Sequence, residues 1–212
     1  MFSGTLDLCV ADIPADTVYL TEGGLASGTS ALEAIGDEDT IRIQRNSVGQ
    51  TVTIRFREKS ELFADLLEIS APLARKLHLQ HQRRYAWTYD PDERTLTLRP
   101  KPVSVCPAQV TANKRLGAGF VSIGYELLSR LGIPERKGTS LRIVFRAIRR
   151  TMRLYVPQNL LDRRLQMAPK TCRQLGLLPG RAYRLKFDQR TNTLTVLPIP
   201  VTRPAEMTDT DA

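Results

Sequence analysis

LEISAPLARKLHLQHQRRYAWTYDPDERTLTLRPKPV, residues 67–103, and LQMAPKTCRQLGLLPGRAYRLKFDQRTNTLTVLPIPV, residues 165–201, align without a gap at an offset of 98. Leu77, Leu79, Arg83, Tyr85, Asp90, Thr95, Leu96, Thr97, Pro100 and Pro102 recur as Leu175, Leu177, Arg181, Tyr183, Asp188, Thr193, Leu194, Thr195, Pro198 and Pro200. A repeat of this length, rich in paired apolar positions, marks duplication of a folded unit. Within it, Tyr183, Leu185 and Phe187 alternate with Arg184 and Lys186, a polar DQRTN turn follows, and Leu194 and Val196 alternate again. A period of two puts the apolar set on one face of a strand and the basic set on the other.

The duplication is nested. Residues 121–143 align with 165–187 at an offset of 44, with Val121, Ile123, Leu131, Gly132, Ile133, Leu141 and Ile143 over Leu165, Met167, Leu175, Gly176, Leu177, Leu185 and Phe187. Each copy predicts a short strand, a helix of one or two turns stopped at Gly, and a strand–turn–strand hairpin. The first copy is looser, with Val18 and Leu20 in a strand, an insertion ending near Gly36, then strands through Ile41 and Ile43 and through Val52, Ile54 and Phe56. One such βαββ unit cannot enclose a core, whereas two interlocked units can. The expectation is a mainly β protein of four βαββ units in two tandem double-psi-like β-barrels. The first covers 1–103 and the second 120–201, with a linker at 104–119 (SVCPAQVTANKRLGAG) and a disordered polar tail at 202–212.

At 212 residues the chain has room for two domains of about 100 residues, each with a core of its own. No apolar run reaches the roughly 18 residues of a membrane span. The N-terminus lacks a basic region and carries Asp7 and Asp12, unlike a signal peptide. Cys9, Cys106 and Cys172 are scattered, odd in number and without a CxxC pair, as free thiols in a reducing compartment would be. A cytoplasmic protein without membrane attachment is expected. The net charge of +9 is unevenly divided. Residues 1–103 hold 12 Lys and Arg against 15 Asp and Glu, and residues 104–212 hold 19 against 7. Such asymmetry points to a polyanionic partner for the basic half.

Short βαββ units used in pairs, with LG(I/L)xxG between helix and strand, resemble double-psi and swapped-hairpin barrels. Among these are AbrB-type regulators, MazE-type antitoxins and the N-terminal domains of several AAA ATPases. The chain is similar, more closely, to the N-terminal region of the spore-coat-associated ATP-grasp proteins of endospore-forming bacteria. Leu77, Leu79, Thr95, Leu96, Leu98 and Pro100 carry that likeness, and again Leu175, Gly176, Leu177, Gly180, Thr193, Leu194, Val196 and Pro198. The resemblance implies the barrel fold and a forespore or spore-coat setting. It implies no ligase activity, because no nucleotide-binding or ligase segment is present.

No catalytic constellation, metal site or cofactor motif stands out. His78 and His81 fall in the turn after a helix, without further ligands beside them. Asp90, Asp92 and Glu93 lie in a hairpin of which only the first Asp recurs, which is the position of a turn-forming Asp. Cys172 falls opposite Ala74 of the other copy, a buried small side chain. Gly132, Gly138, Gly176 and Gly180 form no phosphate-binding pattern and serve as helix stops and turns. The strongest functional signal is RIVFRAIRRTMRLY, with Arg142, Arg146, Arg149, Arg150 and Arg153, followed by Arg163 and Arg164. Leu141, Ile143 and Phe145 face inward, so Arg142 and Arg146 face outward, with Arg149 and Arg150 expected at the hairpin tip. Guanidinium groups bind phosphate oxygens bidentately. The expectation is a non-catalytic module that binds nucleic acid or another polyanion through this hairpin. The alternative is a spore-associated structural or adaptor protein, docking protein partners or self-associating through its barrels. Aromatic residues are too few, and not interleaved with the arginines, for single-strand base stacking.

Overall fold

A computed structural model describes residues 1–23, 31–58, 63–135, 138–157 and 161–199. The tail expected at 202–212 lies outside them. In the first half β1 (Phe2–Ala11) and β2 (Thr17–Thr21) precede a short 3-10 helix (Ala31–Ala34). β3 (Thr40–Arg45), β4 (Val48–Phe56), β5 (Asp65–Ser70), α1 (Ala71–Lys76), β6 (Arg83–Asp90) and β7 (Thr95–Pro100) follow. The second half repeats the order with β8 (Val103–Ala112), β9 (Phe120–Ile123), α2 (Tyr125–Leu131), β10 (Ser140–Phe145) and β11 (Ile148–Tyr155). It ends with β12 (Arg164–Met167), α3 (Pro169–Leu175), β13 (Ala182–Asp188) and β14 (Thr193–Pro198). No described helix is long and apolar enough to cross a membrane.

Each half closes into a seven-stranded barrel, in the orders β1-β5-β2-β4-β3-β7-β6 and β8-β12-β9-β11-β10-β14-β13. The two orders are the same, strand for strand. Register matches too: Tyr85 faces Pro100 as Tyr183 faces Pro198, and Leu8 faces Leu67 as Val110 faces Leu165. The expected tandem barrels and βαββ units are therefore present. Each barrel fills with its own apolar residues, around Trp87 in the first and Phe187 in the second.

One boundary differs from expectation. Residues 104–112 are not linker; they belong to β8, the strand that opens the second barrel, pairing with β12 and β13. β1 has the same place in the first barrel. Ser104, Cys106, Ala108 and Val110 are its buried positions. Three of them are small or weakly apolar, so the period of two has little amplitude in the sequence. Only Lys101 and Pro102 separate β7 from β8.

Arg84 locks the barrels together. Its guanidinium is 6% exposed and makes a paired contact with Asp7, 2.8 and 2.7 Å. It also donates to the carbonyls of Ser129 and Arg130 at the end of α2, each 2.5 Å away. Gln189, also buried, accepts from the Arg84 amide (3.0 Å) and donates to the Lys101 carbonyl (2.7 Å). Gly132 ends α2 with φ +66°, and a Cβ there would sit 3.1 Å from the Arg84 guanidinium carbon. At the matching point after α1, His78 takes φ +53°, where α3 is followed by Gly176.

Removing one partner of a buried, hydrogen-bonded ion pair costs about 3–5 kcal/mol. Asp7 is 30% exposed, so Arg84→Met is expected near the low end, about 3 kcal/mol. Urea unfolding followed by intrinsic fluorescence and by circular dichroism will check this, and the two barrels should then melt in separate transitions. His78→Gly should act oppositely. A left-handed non-glycine residue costs about 1–2 kcal/mol, offset in part by the extra chain entropy of glycine. The urea midpoint of the variant should rise.

Candidate functional site

The arginine hairpin is β10–β11, and its two-residue turn is Arg146–Ala147, with Arg146 at φ +52°. The expected tip of Arg149 and Arg150 is thus corrected. Phe145 pairs with Ile148, so both arginines lie within β11, opposite Val144 and Ile143. Cross-strand partners share a face. Arg150 therefore shares the face of the buried Ile143, and its guanidinium donates to Gln174 of α3. The first barrel makes the same link with the roles exchanged, Lys76 of α1 donating to Gln50 of β4. Arg150 belongs to the helix–barrel contact.

Arg142, Arg149 and Arg153 face outward and are exposed. The hairpin continues sideways, because β10 pairs in parallel with β14, and β14 pairs with β13. The outer face of β13 carries Arg184 and Lys186, both exposed. Arg149, Val144, Thr195 and Lys186 form one cross-strand row. Three strand spacings separate its ends, about 14 Å. Arg142, Arg149, Arg153, Arg184 and Lys186 thus form one cationic face over four adjacent strands. No carboxylate pairs with any of the five among the described residues. Asp188 is the one acidic residue facing outward from these strands, and Arg190 holds it at 2.9 Å. The hydrogen bonds from Arg190 keep its carboxyl below the usual aspartate range, with Lys186 adding a smaller pull.

The other named arginines lie apart. Arg146 sits at the turn, with its guanidinium 5.3 Å from the Phe145 ring centroid. Arg163 and Arg164 do not join the face. Arg163 binds Glu126 at 2.6 Å and Arg164 is paired with Asp162. Glu126 also takes Arg130 at 2.7 Å. Its partial burial opposes ionisation, but the hydrogen bonds from Arg130 and Arg163 prevail and lower its pKa.

The first barrel serves as a control. Register places Arg42, Gly49, Thr53, Ala86 and Thr88 where the second has Arg142, Arg149, Arg153, Arg184 and Lys186. Arg99 stands at the place of Leu197. Three other first-barrel cations are matched by acids: Arg55 by Glu38, Arg57 by Glu68, Arg94 by Asp39. Arg184 and Lys186 were missing from the sequence-derived set, although their alternation with Leu185 marks them as outward.

The remaining sequence candidates fall into structural roles. Asp90 Oδ1 accepts the amides of Asp92 and Glu93, and Asp188 Oδ1 that of Arg190, which is turn chemistry. His78 and His81 are exposed in the turns after α1, and His81 Nδ1 accepts the Val10 amide at 2.9 Å. No group of three or more His, Cys, Asp or Glu is gathered for a metal among the described residues. Cys106 and Cys172 are buried, Cys9 partly so, and burial raises the pKa of each thiol.

Glu126 generates a pH prediction. Its native pKa lies below its unfolded one, so its contribution to stability is present above about pH 4.5 and is lost as pH falls through the lowered native value. Stability measured by urea unfolding between about pH 5 and 3 should decline less steeply in Glu126→Gln than in the wild type.

No protein-family model matches the chain, and neither does any curated protein or solved structure.

Proposed function

We propose that the second barrel binds a phosphate-rich polyanion, nucleic acid above all, on the face formed by Arg142, Arg149, Arg153, Arg184 and Lys186. The observation that carries this reading is the contrast between the barrels. Two copies of one fold share their cores and turns, yet of five equivalent outward positions the second is cationic at all five and the first only at Arg42. Folding needs no such set, since the first barrel closes without it.

The face has few features for reading bases. It is an open sheet surface rather than a helix or narrow ribbon shaped for a groove, and its flanking residues are Thr151, Thr193 and Thr195. Arginines of this kind bind phosphates and fix position without selecting sequence. The mechanism is therefore release of counterions by backbone contact, with Arg146 at the turn extending the contact line.

A second reading, docking of an acidic protein as an adaptor, is favoured by the exposed apolar residues among these arginines. Phe120 pairs with Arg153, and Val105, Tyr155 and Leu197 are more than a third exposed. Arginine mixed with aromatic and apolar residues is the composition of protein interfaces.

Five phosphate contacts give a slope of about −4 to −5 in log K against log salt for duplex DNA. Fluorescence anisotropy with labelled duplex at several salt concentrations should show that slope. The variant Arg142→Gln/Arg149→Gln/Lys186→Gln should weaken binding and lower the slope by about 3. Arg150→Gln should leave binding unchanged, because its side chain is turned to α3. Absence of binding at low salt, or binding indifferent to salt, would sink the nucleic-acid reading and favour the adaptor.

A further inference from the structure

Between the barrels lies a groove of about 640 Å³ lined by Arg45, His78, Gln80, Arg83, Arg84, Tyr85, Pro100, Pro102, Gln189 and Arg190. Four of these residues are arginines and none is acidic. We propose that this groove is a binding site for a small, multiply charged phosphate compound, distinct from the polyanion face and independent of it.

Its volume lies within the range of small-molecule sites, about 300–1,000 Å³. Arg83, Tyr85, Pro100 and Pro102 recur in the second barrel, but four other lining residues of the first barrel depart from it, Arg84 standing where the second has Ala182. Arg45, His78 and Gln80 stand where the second barrel has Phe145, Gly176 and Leu178. In the second barrel Phe145 packs edge-on against Tyr183, ring centroids 5.8 Å apart. The first barrel sets Arg45 in place of that phenyl ring. The same closure thus works with an apolar filling, and barrel formation does not explain the arginine.

Arg45 and Arg83 keep donors in reserve. A guanidinium has five N–H groups. Arg45 donates from Nη1 to the carbonyl of His78, while its buried Nε has no partner. Arg83 donates from one nitrogen to the carbonyl of Gln189. These bonds hold the side chains in place without neutralising their charge, because carbonyls carry none. Lys101 lies beside the groove, between Pro100 and Pro102. Burial lowers its pKa first, and the positive charge of Arg84 lowers it further. His78, held at φ +53° where glycine would be unstrained, puts an imidazole on the rim.

Arg84 and Arg190 are already paired with Asp7 and Asp188, but Arg45 and Arg83 have no carboxylate among the described residues, and two such guanidinium groups suit neighbouring phosphates better than a single carboxylate. Pro100 and Pro102 add flat apolar wall, which would take the base of a nucleotide. Free polyphosphate and nucleoside triphosphate share the recognised chemistry, and the experiment separates them.

Isothermal titration of the full chain at low salt with tripolyphosphate, ATP and adenosine tests this. One-to-one binding of tripolyphosphate and ATP is expected, and none of adenosine. ATP tighter than tripolyphosphate identifies a nucleotide site; equal affinity identifies a polyphosphate site. Arg45→Gln and Gln80→Glu should each weaken binding about tenfold or more, the scale of one charge-assisted hydrogen bond. Gln80 is exposed and its amide, not its side chain, bonds to Tyr85, so Gln80→Glu adds a repelling charge without disturbing the fold. Both variants should keep wild-type urea midpoints within error and bind duplex DNA as the wild type does. No binding of either phosphate compound at millimolar concentration, or binding that both variants retain, overturns the proposal.

Discussion

The parallel pairing of the first strand of each half with the strand that opens its second unit is the constraint from which the rest follows. β1 lies between β5 and β6, and β8 between β12 and β13. Without it the six strands of two βαββ units form an open sheet with two unpaired edges, and an open edge invites association with other chains. With it the sheet closes, one face becomes interior, and the other becomes a continuous outer surface. The cationic face exists on that surface because the parallel β10–β14 pairing sets β13, β14, β10 and β11 side by side, bringing residues more than thirty positions apart together.

Closure also separates what must be kept from what is free to vary. Inward positions are held by packing, as with Leu6, Leu8 and Trp87 in one barrel and Val110, Leu185 and Phe187 in the other. Outward positions have no such restraint, and there the halves differ most. The first barrel spends its outer arginines in local pairs with Glu38, Asp39 and Glu68. The second pairs Arg130, Arg163, Arg164 and Arg190 with acids but leaves the five cations of its β11–β10–β14–β13 face unmatched among the described residues. Unmatched surface charge of one sign costs self-repulsion and gives a long-range field for an opposite partner.

The legible part of the fold was the part with strong apolar contrast. Tyr183, Leu185 and Phe187 against Arg184 and Lys186 announce a strand, and Leu131-Gly132 and Leu175-Gly176 announce helix ends. β8 was hidden because Cys106 and Ala108 are too small to mark an inner face and Pro107 resembles loop sequence. For the site, alternation alone showed that Arg142 and Lys186 point outward. Their adjacency depends on the parallel β10–β14 pairing, which leaves no local trace. The misplaced tip had a simpler cause: the turn is only two residues long, so Arg149 and Arg150 are already in the strand. Arg84 was visible in principle as a departure from Ala182, but its role needs Asp7 and the end of α2, distant in sequence and contributed by both barrels.

The two-residue connection between β7 and β8 bears on how the halves can ever come apart. Lys101 and Pro102 leave almost no slack, and both are tied in, Lys101 by its carbonyl to Gln189 and Pro102 by its carbonyl to the Gln189 amide. A protease needs a stretch of chain it can draw into an extended form, and at this junction the backbone carbonyls are held by hydrogen bonds. A cut there would also strip the strand that closes one barrel or the other. The seam between the two copies is thus not a slack tether: Gln189 of the second barrel and Arg84 of the first hold its backbone from both sides.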